Sequence, residues 1–264
     1  MKTLKMILAF AVIYFTSVIP SNAGTIEDIV KRGELRVGLS TFVPWAFVDK
    51  TGKLVGFEVD VATQLAKDLG VKLKIVNTSW DGIIPALQSK KFDVIIGGMS
   101  VTTKRNIAVN FSDGYGGAEY AVITNAENKN RKIKEFNSRK FTFAARRGSV
   151  PALLVKKNFP KAKLIQFDDD GVADQELVNN RVDAVVNTDI AASFVIAENE
   201  GKIFFVENGK GIFSDSASFA IRKGDVDALN VFNHWIGGKR NDGWLKERSK
   251  YWFKTKAWNS KLPK

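Results

Sequence analysis

The sequence contains no cysteine. That absence excludes disulfides, thiolate metal sites, a cysteine nucleophile and a lipid anchor attached to an exported cysteine. Histidine is almost as scarce: His234 stands alone, next to Trp235 in a C-terminal stretch of helical pattern. Zinc centres and histidine-based triads are therefore excluded, and no metal or other cofactor is expected. After residue 23 there is no apolar run long enough to span a membrane. Dense charge of one sign is also missing. The net charge is +12, but the basic residues are scattered and clusters such as Lys129–Lys134 (KNRKIK) are short. Such a surface attracts anions weakly, and nucleic acid is not an expected partner.

What is present first is an export signal. In "MKTLKMILAFAVIYFTSVIPSNA", Lys2 and Lys5 precede an apolar stretch from Met6 to Val18 and the small residues Ser21-Asn22-Ala23. This is the pattern of a secretory signal peptide over residues 1–23, cleaved after Ala23, and its apolar part is short for a membrane anchor. Its removal takes away Lys2 and Lys5 and no acid, leaving +10. A product with neither anchor nor disulfide is expected in the periplasm, with secretion the alternative.

The remaining residues, 45% hydrophobic and 26% charged over the whole chain, alternate strand and helix patterns. "ELRVGL" (Glu34–Leu39) alternates as a strand. Ala62, Leu65, Ala66 and Leu69 follow at helical spacing and stop at Gly70. "VKLKIV" reads as a strand, "DGIIPALQSK" as a short helix and "FDVIIGG" as a buried strand. The alternation predicts an α/β architecture with parallel sheet. An internal similarity points to two such units: Leu87-x4-Phe92-Asp93-Val94-Ile95-Ile96 matches Leu177-x4-Val182-Asp183-Ala184-Val185-Val186 in spacing and residue type.

In such sheets ligands bind beyond the carboxyl ends of strands. That rule selects Ser40–Trp45, Gly97–Arg105, Arg146–Val150 and Asn187–Asp189. One of these segments, "GGMSVTTKR", places Arg105 just behind a hydroxyl-rich turn. A guanidinium beside a helix N-terminus favours a carboxylate, which its planar fork can grip with two hydrogen bonds.

"GELRVGLSTFVPWAFVDKTGKLVGFEVDVATQLAKDLG", "SWDGIIPALQSKKFDVIIGGMSVTTKRNIAVNFSDGY" and "NNRVDAVVNTDIAAS" resemble the periplasmic solute-binding proteins of polar amino-acid ABC transporters. The resemblance extends through "SFAIRKGD" and "NDGWLKERSKYWF". It implies a two-lobed, type II periplasmic binding fold joined by two crossing strands, "AEYAVITN" and "SASFAIRK". Lobe 1 would be residues 24–117 plus 216–264, and lobe 2 residues 118–215. The implied function is capture of an amino acid or similar carboxylate-bearing metabolite between the lobes, and delivery to a membrane permease by a monomer that opens and closes.

By the same resemblance Arg105 grips the ligand carboxylate, Ser100 adds a hydroxyl and a backbone N–H, and Gly98 allows close approach of the main chain. Phe42 and Trp80 form aromatic walls, whereas Trp45 and Phe47 are expected in the core. Gly148 and Ser149 form a second-lobe turn that donates N–H groups. Arg146 and Arg147 are expected to be a solvated pair, the alternative being that one of them faces the cleft and reads an acidic ligand. "DDDG" (Asp168–Gly171) does not complete a calcium loop and reads as a solvated turn capping the next helix.

The departure from the family lies at Thr188, where amino-acid binders place an aspartate for the ligand ammonium. A threonine hydroxyl cannot neutralise an ammonium. Either the adjacent Asp189 reaches in, which is the preferred expectation, or the ligand lacks an ordinary α-ammonium. A catalytic offshoot of the family, the cyclohexadienyl (arogenate/prephenate) dehydratases, is the alternative. Its chemistry needs a positioned acid, and the glutamate of that branch falls here at Ala191, which has no proton to give.

Overall fold

The computed structural model describes residues 24–255 and 257–262. The expected signal peptide lies outside the described residues. After α1 (Thr25–Arg32) come β1 (Glu34–Leu39), a small hairpin of β2 (Phe47–Val48) and β3 (Leu54–Val55), and α2 (Phe57–Asp68). Next are β4 (Lys72–Asn77), α3 (Ile83–Gln88), β5 (Val94–Ile95) and α4 (Thr103–Ala108). A long strand, β6 (Asn110–Asn125), leads to β7 (Thr142–Arg146), α5 (Val150–Asn158), β8 (Lys163–Phe167) and α6 (Asp170–Val178). Then follow β9 (Ala184–Thr188), α7 (Asp189–Glu198) and β10 (Ile203–Phe205). Strand β11 (Phe213–Ile221) returns towards the start, before α8 (Val226–Asn241) and α9 (Trp244–Lys254).

Apart from the β2–β3 hairpin, the strands form one sheet in the order β4-β1-β5-β11-β6-β9-β7-β8, with β10 beside β6. Helical crossovers permit parallel pairing. In the first half β1 accordingly lies parallel between β4 and β5, and in the second β7 lies parallel between β8 and β9. The antiparallel pair β6 and β11 joins the halves, with Gly117 opposite Ser216 and Ala118 opposite Asp215.

Each half has an apolar core, and that of the first also takes in Ala191 from α7. Val37, Phe57, Leu65, Val94 and Phe219 pack with Trp45, Phe47 and Trp252 in the first. Val122, Phe143, Val155 and Val186 pack with Phe136 and Phe159 in the second. Phe57, Phe143, Phe159 and Phe219 are among the largest fully buried side chains, each worth about 1.5–3 kcal/mol of transfer free energy. Because both halves are parallel β-α-β units, the carboxyl ends of β1, β5, β7 and β9 converge on the junction.

Candidate functional site

Residues from all four strand ends line one cavity. Of the residues expected from the sequence, Phe42, Trp80, Gly98, Ser100, Arg105, Ser149 and Thr188 border it, joined by Tyr120, Arg146 and Asp170. Its free volume is about 30 Å³, space for one or two waters rather than an amino acid. Ligand entry therefore requires the halves to part or the lining side chains to swing.

Arg105 is the pivot. Thr102 caps α4, its hydroxyl accepting from the Arg105 amide at 3.2 Å. The Arg105 side chain then turns inward and is only 9% exposed. Its Nη1 donates to the Ser100 carbonyl at 2.9 Å, and its Nη2 to the Gly148 carbonyl at 3.0 Å. The second bond crosses from one half of the sheet to the other. Among the described residues no carboxylate forms an ion pair with Arg105. Burial lowers its pKa, Tyr120 and Asp215 oppose that, and Arg146 adds to it.

Both flanking turns depend on glycine. Gly98 has φ +65° and a Cβ there would stand 3.4 Å from Trp45 Cδ1. Its amide donates to Tyr115 Oη at 3.2 Å, and the Tyr115 hydroxyl donates to Glu58 Oε2 at 2.5 Å. Burial drives the Glu58 carboxyl up to about 8. No sequence signal distinguished this support, since Glu58 stands at the start of an ordinary amphipathic helix. Gly148 has φ +70°, and a Cβ there would meet Asp81 Cα at 3.6 Å, so the two backbones come close. The structure shows this turn in a different role from the expected one: the Gly148 carbonyl accepts from Arg105. The Ser149 amide is committed to the Arg146 carbonyl at 3.2 Å, and its hydroxyl caps α5 through the Ala152 amide.

The expected solvated arginine pair is corrected. Neighbouring residues at a strand end point opposite ways, so Arg147 goes to solvent and pairs with Asp168, whereas Arg146 enters the cavity and is 5% exposed. The Arg146 guanidinium lies 4.6 Å from the Trp80 ring and 5.6 Å from Phe42. Arg105 also faces Trp80, at 5.5 Å. Asp170 is the second correction. Asp169 caps α6 as expected, accepting from Gly171 at 2.7 Å. Asp170, however, leaves the turn and meets Arg146 Nε at 2.8 Å through Oδ2. Burial raises the Asp170 pKa, and Arg146 counteracts it.

The structure places Thr188 and Asp189 differently, and the Asp189 Oδ1 is buried without a hydrogen-bond partner among the described residues. Thr188 borders the cavity and its hydroxyl caps α7, accepting from Ala191 at 3.2 Å. Asp189, the next residue, does not border it. Ala191 is buried against an adjoining cavity of about 230 Å³ that shares Phe42 and Asp170 with the first. Tyr120, which the sequence did not single out, bridges Ser100 and Asp215 at 3.3 and 3.1 Å.

Residues 35–255 match the family model of bacterial extracellular solute-binding proteins, family 3. The chain belongs to that family. It is 30% identical over 236 residues to the L-cystine-binding protein TcyJ of Escherichia coli K12, covering 88% of this chain and 87% of the relative. Among solved structures, an ancestral amino-acid-binding protein described as a precursor of cyclohexadienyl dehydratase superposes with TM-score 0.81 at 37% identity. That match covers 87% of this chain and 99% of the other. A putative ABC-transporter binding component from Wolinella succinogenes, complexed with lysine, gives TM-score 0.81 at 34% identity, covering 87% and 100%. The architecture is thus the type II periplasmic binding fold. Relatives such as the L-cystine-binding protein are binding proteins, and this family 3 chain is a solute-binding protein. Family 3 proteins act in periplasmic or extracellular space, and no helix among the described residues is long and apolar enough to cross a membrane.

Proposed function

We propose that this protein captures an amino acid, or a closely related carboxylate-bearing metabolite, in the cavity between its halves and hands it to the permease of an ABC importer. The observation that carries this reading is Arg105: a nearly buried guanidinium with two carbonyl partners and no paired carboxylate among the described residues. A buried cation without a counter-charge is costly, and a bound carboxylate supplies one. Gly98, Ser100 and Thr188 border the same space as polar contacts, and Phe42 and Trp80 as apolar walls.

The lobes in this reading are residues 24–117 plus 216–264, and residues 118–215. Both divisions fall inside the β6–β11 pair, at residues that face each other in register. A bend there opens and closes the cavity as a hinge. Export by the signal over residues 1–23 and action as a monomer in the periplasm complete the proposal. The test is calorimetry on Arg105→Ala with the best ligand of an amino-acid and organic-acid screen. The variant should keep its circular dichroism spectrum and lose about 2–5 kcal/mol of binding free energy. Unchanged affinity would remove Arg105 from the site.

A further inference from the structure

The cavity lining holds two guanidiniums, Arg105 and Arg146, against one carboxylate, Asp170. Arg146 is nearly buried, yet its donors are poorly used. Its Nε approaches Asp170 Oδ2 at 2.8 Å, but neither atom has an aligned hydrogen-bond partner among the described residues. Its Nη1 reaches Ser40 Oγ and the Thr41 carbonyl only at 3.4 and 3.5 Å. A guanidinium in that condition is matched by a carboxylate, which takes two parallel hydrogen bonds.

The aromatic surface points the same way. Trp80 and Phe42 already carry the Arg146 guanidinium. A ligand with a cationic side chain would bring a second positive charge to those rings, beside Arg146. The groups that could offset it are not free: Thr188 is neutral and caps α7, Asp170 is the partner of Arg146, and Asp215, beside the cavity, accepts from the Tyr120 hydroxyl at 3.1 Å and faces Arg105.

We propose that the ligand is an amino dicarboxylate of net charge −1, its two carboxylates divided between Arg105 and Arg146, and that Arg146 is the residue that bars basic amino acids. Such a ligand balances the charge of the lining, whereas a zwitterion leaves one positive charge over and a basic amino acid adds another. The second carboxylate replaces Asp170 on Arg146 and leaves Asp170 to receive the ligand ammonium. This inference rests on the reading that Arg105 holds a carboxylate, and names the class of molecule that carries it.

The test is calorimetry on the protein purified from periplasmic extract, with L-glutamate, L-aspartate, L-glutamine, L-lysine and L-arginine as probes. L-Glutamate or L-aspartate should bind on the order of thirtyfold tighter than L-lysine or L-arginine. Arg146→Gln should level that order by weakening the acidic ligands and admitting the basic ones, and Arg146→Lys should fall between. A wild-type preference for L-lysine or L-arginine overturns the inference, while sensitivity of that binding to Arg105→Ala would preserve the carboxylate grip. Acid preference that survives Arg146→Gln also overturns it. No binding by any of these probes overturns this inference alone, and binding indifferent to Arg105→Ala overturns both readings.

Discussion

The two halves of the molecule are built alike and charged differently. In the first, Asp93 precedes β5 and clasps β1: its amide donates to the Arg36 carbonyl at 2.9 Å, and its carboxylate accepts from the Arg36 amide at 2.8 Å. In the second, Asp183 precedes β9 and clasps β7 through the Thr142 carbonyl and amide, at 2.8 and 2.7 Å. The sequence similarity that joins these aspartates is thus a repeated strand-to-strand clasp. Beyond the clasp the halves part company. Asp93 also pairs with the guanidiniums of Arg32 and Arg36, and no such pair involves Asp183 among the described residues. The same holds at the cavity, where Arg105 from the first half has only carbonyl partners and Arg146 from the second has a carboxylate. Backbone-supporting chemistry is duplicated; ligand-facing chemistry is not.

The sharpest test of that contrast is at the two glycine turns. The Gly98 turn rests on the buried Tyr115–Glu58 pair, whereas the Gly148 turn is held by Ser149 and Arg105. Only the first should titrate. Folded Glu58 keeps its proton to about pH 8, against an ordinary value of 4.5. Between those values the folded chain binds more protons than the unfolded one, so stability falls as pH rises across that window. The total is on the order of 3–5 kcal/mol. Glu58→Gln has no such proton to lose. The difference between wild type and variant in denaturant unfolding should shrink or reverse from about pH 5 to about pH 8. Parallel curves would show that Glu58 is ionised in the folded protein.

How much of this was legible in the sequence depends on whether a residue's role follows from spacing or from direction. Strand β1 and helix α2 were legible because alternation and helical spacing are unambiguous there. Arg105 was legible from the hydroxyl-rich helix start before it. The pair Arg146-Arg147 was not: two adjacent arginines at a strand end look alike in one dimension, and only the strand's orientation sends one inward. Asp170 was hidden in the same way, because three consecutive aspartates before a glycine read as a cap, and one of them is a cap. The full reach of β6 was hidden too. The expected crossing strand begins at Ala118, yet Gly114, Gly116 and Gly117 before it also pair with β11 in the sheet.

A smaller effect separates the two clasps. Asp93→Ala removes the backbone clasp and leaves two guanidiniums without their partner. Because Arg32 and Arg36 are 32% and 25% exposed, the loss should sit near the low end of that for a broken buried pair, about 3 kcal/mol of folding stability. Asp183→Ala loses the clasp alone and should cost about 1–2 kcal/mol. Chemical denaturation of both variants measures the gap. If Asp183→Ala costs as much as Asp93→Ala, the arginine pairs contribute nothing and the halves are more alike than the charges suggest.

The smallest expected effect is at Asp189. It follows Thr188 directly, so it is tempting to let it stand in for a carboxylate one position earlier. Geometry argues against the substitution: Thr188 ends β9 on the cavity side, and Asp189 begins α7 outside the cavity lining. Asp189→Asn should therefore leave ligand affinity within about threefold, less than 1 kcal/mol. Thr188→Ala removes the cap on the Ala191 amide and should cost about 1 kcal/mol of stability, with its effect on binding limited to one neutral contact. On the proposal that an acidic ligand displaces Asp170 from Arg146, the carboxylate that receives a ligand ammonium is instead Asp170. In a titration with the best ligand, Asp170→Asn should weaken binding more than Asp189→Asn does. The reverse order would mean that closure of the halves turns α7 and brings Asp189 to the ligand. The ammonium site would then lie where family members without the threonine have it, and the departure at Thr188 would be a one-residue shift rather than a change of chemistry.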